Sequence, residues 1–359
     1  MMKTALLAAA LFCVLPLLAQ EMPPAEKPDP AKLTREGVAL YDAGKLDEAI
    51  ARYKAALAVD PNYATASYEL GLTLAAKGDY AGCRAMLEPV ASIRSASQLG
   101  ALVMLGNCLD SAGDRKKAMA VYRKAQALAP DNPRVAYELG SVLWDDGKLA
   151  EARELLKKDV TARPNHVNGR YALASTFEAD NFRVPAVLEY LHMLAFDPVS
   201  PRGRAAAQHV RALLDLGVER KSEKNINVTV DPNARTEEGD YNGMAMGLAM
   251  ASAARMTEEN EKKSEFEQVQ EQVVSVIKMF LEMTPATQKD YTAAAHRPFF
   301  DSMERAGLLE PYVANAFAAL HLPGAAEWTE KNAAAIQKYF DWIRPQREGQ
   351  PAVIIPVSK

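Results

Sequence analysis

Residues 133–166 read PRVAYELGSVLWDDGKLAEARELLKKDVTARPNH, and this stretch decides the fold. It places a small residue at Gly140, a turn residue at Gly147 seven positions later, and then Ala152 followed by the larger Leu156. A small residue lets two helices approach closely, and glycine at a turn tolerates the left-handed conformation that ends a helix. The stretch therefore predicts a hairpin of two packed helices.

The same pattern occurs five times between residues 30 and 198. Successive copies are offset by 34 residues, except for one step of 35 residues near Ser95, which stands where other copies have a closing proline. A single hairpin cannot bury both of its apolar faces, so stacking must form one continuous core. The small residues are Gly37, Gly71, Gly106, Gly140 and Ala174; the turn residues are Gly44, Gly78, Gly113, Gly147 and Asn181; the large residues are Tyr53, Leu87, Tyr122, Leu156 and Tyr190.

This pattern resembles the tetratricopeptide repeat (TPR) family, whose unit is a 34-residue helix–turn–helix. The resemblance covers about residues 30–198 and implies an all-α solenoid, a right-handed superhelix of stacked hairpins. It also implies a protein or peptide partner, because proteins of this family bind such partners. The implied repeats are 30–63, 64–98, 99–132, 133–166 and 167–198.

By the same resemblance, the first helices of the hairpins line a concave groove. The groove-facing positions combine amphipathic aromatic side chains with small polar groups, which suits an extended peptide or an apolar helix face. Two alternatives remain open, namely that the tyrosines only wedge between hairpins or that the C-terminal half fills the groove. The groove candidates are Tyr41, Tyr68, Leu72, Asn107, Arg134, Tyr137, Trp144, Asn168, Tyr171 and Glu178.

The N-terminus is typical of an export signal. Lys3 precedes the uncharged apolar run Ala5–Leu18, and Ala19 offers a small residue for cleavage. We predict a signal peptide over 1–19 and a proline-rich spacer over 20–29, with an uncleaved anchor as the alternative. The expected location is outside the cytoplasm, periplasmic or extracellular, in a bacterial envelope.

The second half of the chain has a helical pattern that we assign to no family. Thr257 is predicted to cap a helix that runs to about Met283, and the alternating Ile226 and Val228 indicate a short strand. A β-prone segment near the C-terminus pairs with this strand or remains unordered. The predicted regions are a capping helix over 199–217, a loop with the short strand over 218–236, a helical C-terminal domain over 237–343 and a tail over 344–359.

Two cysteines, Cys83 and Cys108, remain after removal of the signal. An oxidising compartment permits a disulfide between them if their α-carbons lie within about 7 Å. Cys83 replaces the small alanine of the repeat pattern, which packs without any partner. We therefore expect two free, buried thiols.

Composition and motifs exclude several functions. The 359 residues carry a net charge of −4, so binding nucleic acid through phosphate neutralisation is not expected. The five histidines lack the spacing of a helical zinc site, and we expect each to act singly. The acids Glu237, Glu238 and Asp240 are interpreted as the start of a helix rather than as an acid/base pair.

These observations favour a non-catalytic scaffold with no cofactor and no metal. They predict a role in envelope assembly, secretion or the organisation of a complex, and no transmembrane span in the mature chain. Two other interpretations remain open: an enzyme with its site in residues 218–343 that the repeats recruit to a target, and a self-assembling structural protein.

Overall fold

The computed structural model describes residues 28–222, 225–229, 235–257 and 260–347. The predicted signal peptide (1–19), most of the spacer (20–29) and the part of the tail beyond residue 347 lie outside the described residues. The fold is all-α, as the sequence predicts. The described residues form seventeen α-helices, one two-stranded hairpin and three short 3₁₀ helices.

The first ten helices form five consecutive hairpins in which an odd-numbered first helix precedes an even-numbered second helix. Most second helices end two to four residues before a proline, which cannot continue them. The helices are α1 (Pro30–Asp42), α2 (Leu46–Val59), α3 (Ala64–Ala76), α4 (Tyr80–Ser92), α5 (Gln98–Ser111), α6 (Arg115–Leu128), α7 (Pro133–Asp145), α8 (Leu149–Ala162), α9 (Val167–Ala179) and α10 (Arg183–Leu194).

The small residue and the large residue of one repeat touch each other. A Cβ atom added at Gly106 of α5 would lie 2.6 Å from Cζ of Tyr122 on α6, closer than any real contact. Tyr122 is 1% exposed, so its ring has no free space into which to retreat. The glycine therefore makes room for the tyrosine that fills the hairpin, which explains why both recur at a fixed separation.

The five turn residues adopt the left-handed conformation that the pattern predicts. Their φ angles lie between 62° and 83°. Four are glycine, and the fifth is Asn181, which tolerates this region better than other residues with a side chain. The amide of Gly113 donates to the carbonyl of Asp110, and the amide of Asp114 donates to that of Leu109, so the turn satisfies the last carbonyls of α5.

The array is curved because its first helices approach one another more closely than its second helices do. Successive first helices pack side by side, α1 with α3, α3 with α5, α5 with α7 and α7 with α9. Successive second helices make few close backbone approaches. The array therefore bends toward its first helices, which form the concave face, while the second helices form the outer face.

The cysteine prediction is wrong: Cys83 on α4 and Cys108 on α5 form a disulfide, with α-carbons 6.5 Å apart. The sequence analysis placed Cys83 inside its own hairpin. In the structure α4 packs as closely on α5 of the next repeat as on α3 of its own, so the small position of the second helix also faces forward. The bridge joins the second and third repeats at the end of this helix pair that lies opposite the connection 93–97.

Beyond the repeats the described residues form a capping helix, a two-stranded hairpin and six further α-helices. Strand β1 pairs antiparallel with β2, with Val218 opposite Val228, whereas the alternative pairing with the C-terminal segment lies outside the described residues. The elements are α11 (Pro201–Asp215), β1 (Val218–Ser222), β2 (Asn225–Val228), α12 (Asn242–Arg255), α13 (Glu265–Met283), α14 (Tyr291–Arg305), α15 (Leu309–Ala316), α16 (Ala325–Lys331) and α17 (Ala333–Ile343), with 3₁₀ turns at Asn260–Lys262, Ala318–Leu320 and Arg344–Arg347.

The start of α13 differs from the prediction. The helix begins at Glu265 rather than after Thr257. Ser264 accepts from the amide of Glu267, and Glu267 accepts from the amide of Ser264, which is a capping box. This reciprocal pair satisfies two free amides and fixes the helix start more strongly than a single threonine.

The C-terminal helices pack on the outer side of the last repeats. Every residue of α10 from Val184 to Leu194 is buried, because α14 and α15 cover the face that second helices otherwise expose. Tyr312 of α15 donates to the carbonyl of Leu191 at 2.5 Å, and Arg347 donates to that of Ala195 at 2.7 Å. The concave side of the repeats is left open by this arrangement.

Candidate binding site

The structure places the ten groove candidates on the first helices. Nine are half-buried and Arg134 is exposed. Each first helix buries its other face in the array, so the groove residues are held on rigid elements rather than on loops. By helix they are Tyr41 on α1, Tyr68 and Leu72 on α3, Asn107 on α5, Arg134, Tyr137 and Trp144 on α7, and Asn168, Tyr171 and Glu178 on α9.

In the middle of the groove a polar ridge runs from α5 to α7. Asn107 accepts a hydrogen bond from the Tyr122 hydroxyl and donates to Glu138 at 3.5 Å. Burial raises the pKa of Glu138, whereas nearby Arg134 acts to lower it. Asn107 uses both its oxygen and its nitrogen inside the protein, so a peptide backbone would have to compete for them.

Toward the C-terminal end the groove residues bind neighbours in the same chain. Asn168 accepts from Arg202 at 2.5 Å, and Glu178 accepts from the Tyr190 hydroxyl at 2.8 Å. His209 on the capping helix α11 stacks on Tyr190 with ring centroids 5.2 Å apart. Helix α11 thus closes this end of the groove, and the open aromatic surface is centred on α7 and the repeats before it.

A second site lies where the repeats meet the C-terminal helices. Glu189 of α10 is fully buried; it accepts from the Arg170 guanidinium at 2.7 Å and from the Tyr291 hydroxyl at 2.5 Å. His296 Nε2 lies 3.1 Å from the same carboxylate, and His296 Nδ1 lies 3.1 Å from His192 Nδ1. We call these five residues the seam cluster.

Charge and burial set the ionisation of the seam cluster. Burial acts to raise the pKa of Glu189, but His296, Arg170 and the hydrogen bonds outweigh it and lower that pKa to about 2. Burial, followed by the charge of Arg170, holds the pKa of His192 well below its ordinary value. Glu189 is therefore a carboxylate and His192 a neutral imidazole near pH 7.

The expectation that the histidines act singly is wrong for this pair. His192 and His296 are 104 residues apart in the chain, so no local spacing could reveal that they meet. Two further histidines contact carboxylates instead: His166 contacts Asp159, and His209 contacts Glu178. Over the described ranges no group of three metal-ligating side chains comes together.

A cavity of about 550 Å³ opens beside the seam cluster. It lies between the α8–α9 connection, α10, α14 and the end of α17. Phe196, Phe299 and Trp342 form apolar walls, while Arg170 and His192 face it from the repeats. Residues from four separate parts of the chain line this cavity, which is why the sequence analysis did not find it.

In the acidic stretch before α12, Asp240 accepts from the amide of Asn242 at the helix start, as predicted, whereas Glu238 has a different role. Helix α12 begins only at Asn242, after these acids. Glu238 is 8% exposed and accepts from Arg153 at 2.8 Å and from Lys157 at 2.5 Å, both on α8. Glu238 therefore ties the connection before α12 to the outer face of the fourth repeat.

Sequence comparison identifies the repeats independently. Residues 37–78 match the family "TPR repeat", and residues 109–175 match the family "Tetratricopeptide repeat". A curated relative, "Cellulose synthase 1 operon protein C" of Komagataeibacter xylinus, is 28% identical over 176 residues. That match covers 48% of this chain and 13% of the relative, so the chain spans only a small part of the relative's length.

Solved structures similar to part of this chain have low sequence identity to it. YrrB, "a TPR protein with an unusual peptide-binding site", is 23% identical and has a TM-score of 0.42, covering 51% of this chain and 92% of its own. PilF of Pseudomonas aeruginosa is 18% identical with a TM-score of 0.43, covering 52% and 88%.

No helix in the described ranges combines the length and apolarity that crossing a bilayer requires. The recurring residues, the five observed hairpins and the two family matches agree. Residues 30–198 are therefore an array of tetratricopeptide repeats, which implies a role in protein–protein interaction.

Proposed function

We propose that this chain is an exported, non-catalytic scaffold whose concave groove binds an extended segment of a partner protein. One observation carries the proposal: the C-terminal helices cover the outer face of the last repeats and leave the first-helix face open. The second helices of the last repeats are buried against the C-terminal helices. The half-buried aromatic residues of the groove are not covered by these helices and can contact a partner.

Contacts within the chain show which groove candidates are less suited to contact the partner directly. Asn107, Asn168 and Glu178 each bind a neighbour in the same chain, so they are positioning groups around the groove rather than its principal contacts. Tyr137 and Trp144 lie one above the other on α7, at the part of the groove that α11 does not close. Aromatic side chains of this kind supply large contact area at low conformational cost and dominate many interfaces.

Two features support export. The first 19 residues have the pattern of a signal peptide, and the Cys83–Cys108 disulfide belongs to a class of bond that persists in oxidising compartments. The similarity to a cellulose synthase operon protein favours a role in envelope assembly. The intact mass of the exported protein tests this point, because it should lack residues 1–19, whereas a species retaining Met1 would favour a membrane anchor.

Partner capture from envelope extract, followed by affinity measurement, tests the groove. We expect Trp144→Ala to weaken binding of the captured partner by about 2 kcal/mol, roughly thirtyfold. Leu128→Ala is the matched control, because Leu128 is a 50% exposed apolar residue on the second helix α6. The two variants should therefore differ in affinity while their folded fractions stay equal.

The groove proposal fails if Trp144→Ala binds the partner as tightly as the unaltered chain. It also fails if affinity falls only in proportion to the loss of folded protein, which thermal unfolding of the same samples would show. In the first case the aromatic surface is not a recognition site, and in the second it is only part of the core.

A further inference from the structure

The cavity beside the seam cluster has the size of a small-molecule site. Its volume of about 550 Å³ falls within the range of about 300–1,000 Å³ typical of ligand pockets. Its walls are formed chiefly by the aromatic rings of Phe196, which follows α10, Phe299 of α14 and Trp342 of α17. Such walls favour a ligand with a flat apolar body.

The charges around the cavity disfavour an ionic ligand. Among the described residues that line it, Arg170 is the charged one, and its guanidinium is bound to the carboxylate of Glu189 at 2.7 Å. Arg170 also donates to the carbonyl of Pro164 at 2.6 Å. A ligand carboxylate or phosphate would have to displace Glu189, so an uncharged molecule fits better.

His192 is one of the polar residues that line the cavity, together with Thr161, Asn165, Tyr291, Ser302 and Gln346. The His192 ring is 5% exposed and stacks on Phe299, with centroids 4.1 Å apart, which fixes its orientation. Nδ1 is engaged by His296, while Nε2 has no hydrogen-bond partner among the described residues. Since His192 lines the cavity, Nε2 is the atom through which it can bind a ligand.

The contacts that run from Glu189 through His296 to His192 bear on what Nε2 of His192 can bind. His296 Nε2 lies 3.1 Å from the Glu189 carboxylate, and His296 Nδ1 lies 3.1 Å from His192 Nδ1. The neutral His192 ring accepts at Nε2 when its proton is on Nδ1, and it donates there when its proton is on Nε2. A ligand hydroxyl satisfies both arrangements because it can donate and accept.

We propose that this cavity binds an uncharged molecule with a flat apolar body and a hydroxyl group, held by a hydrogen bond to His192 Nε2. The site is separate from the concave groove, since the cavity lies on the outer side of the repeats. It gives the seam between repeats and C-terminal helices a ligand-binding role.

Calorimetric titration of the full chain with 2-naphthol tests the proposal. Two analogues serve as matched probes: 2-methylnaphthalene lacks the hydroxyl, and 2-naphthoate carries a charge. We expect 2-naphthol to bind about tenfold more tightly than the methyl analogue, the difference that one hydrogen bond contributes, and naphthoate to bind weakest. Equal affinities for all three probes, or no measurable binding of 2-naphthol, would overturn the proposal.

Two variants locate the binding site. His192→Phe keeps a stacked ring but removes Nε2, so it should remove the tenfold preference for the hydroxyl. Ala295→Phe places a ring in the cavity and should abolish binding of 2-naphthol, whereas Ala326→Phe, on the exposed side of α16, should leave it unchanged.

Folding of every variant is checked by thermal unfolding, and Ala295→Phe keeps the test valid if His192→Phe does not fold. Unchanged 2-naphthol binding by a folded Ala295→Phe chain would place the ligand elsewhere and refute the proposal. Binding of a protein partner in the groove should be unaffected by Ala295→Phe, which separates failure of this proposal from failure of the groove.

Discussion

The repeats and the seam behind them are built from contacts of opposite kinds. Within a repeat the decisive contact joins residues 16 positions apart, such as Gly106 with Tyr122, and it is apolar. At the seam the decisive contacts join residues about 100 positions apart, such as Glu189 with Tyr291, and they are polar and buried. The repeats are therefore specified locally and repeatedly, whereas the seam contains a buried set of charges that occurs once among the described residues.

The most damaging change should be one that breaks the seam cluster. Glu189→Gln keeps the shape of the side chain but leaves the Arg170 charge buried without its partner. Removing one member of a buried pair costs about 3–5 kcal/mol, so we expect the free energy of unfolding to fall by that amount. Denaturant titration measures it.

Glu88→Gln is the control for that substitution. Glu88 pairs with Arg84 on the repeat surface, where both side chains are about half exposed, so its loss should change stability by less than about 0.5 kcal/mol. Similar effects from the two substitutions would contradict the view that buried charges hold the seam.

Acid should weaken the contacts of the Glu189 carboxylate in the seam cluster. The pKa of Glu189 is lowered from its ordinary 4.5 to about 2 in the folded chain. A depressed pKa means that the folded state binds the proton less readily than the unfolded state, so this stabilisation is complete above about pH 4.5 and is lost as the pH falls toward 2. The unfolding free energy should decline across that window, and more steeply in the unaltered chain than in Glu189→Gln.

The next largest effect is expected at the junction between the second and third repeats. The Cys83–Cys108 bridge closes a separation of 25 residues, and a loop of that length restricts the unfolded chain by about 3 kcal/mol. The double variant Cys83→Ala, Cys108→Ala should therefore unfold at lower denaturant concentration by that margin. Reduction of the unaltered chain is the control and should give the same loss, while no change on reduction would mean that the bridge does not form in solution.

A smaller effect tests the local contact inside one repeat. Gly106→Ala adds a Cβ that meets the buried Tyr122 ring, and overpacking of this kind costs about 2 kcal/mol. Gly100→Ala on the same helix is the control, because its new Cβ would lie 3.2 Å from the nearest atom of Tyr68, a half-buried ring that can shift. Gly100→Ala should be neutral or stabilising, and equal losses from both would contradict the packing argument.

The repeats could be predicted from the sequence better than the seam. The turn at Gly113 and the pairing of Gly106 with Tyr122 were predictable because each depends on residues within one repeat and recurs. The meeting of His192 with His296 was not, because nothing in either helix specifies its partner. The disulfide is intermediate: the repeat pattern identified Cys83 as a small packing position, but which neighbour this position faces depends on how α4 packs on α5.

The groove shows the same limit. The resemblance placed ten candidate residues on the first helices, and the structure has them there. It gave no indication that Asn168 binds Arg202 or that α11 closes the end beside Glu178, because α11 lies beyond the last recognisable repeat. The contacts of the capping helix α11 therefore could not be predicted from the repeat pattern.

The smallest expected effect separates backbone conformation from packing. Gly113 has φ of 83°, and a Cβ added there would meet nothing within 4 Å. Gly113→Ala should therefore lower stability by about 1 kcal/mol through the left-handed backbone alone, and Gly113→Asn by less, since asparagine tolerates this region. Asn181 already holds the equivalent turn in the fifth repeat, and Asn181→Gly should be neutral or slightly stabilising there. Chemical denaturation of the three variants checks the order, and a Gly113→Asn loss as large as that of Gly113→Ala would show that the five turns do not obey one rule.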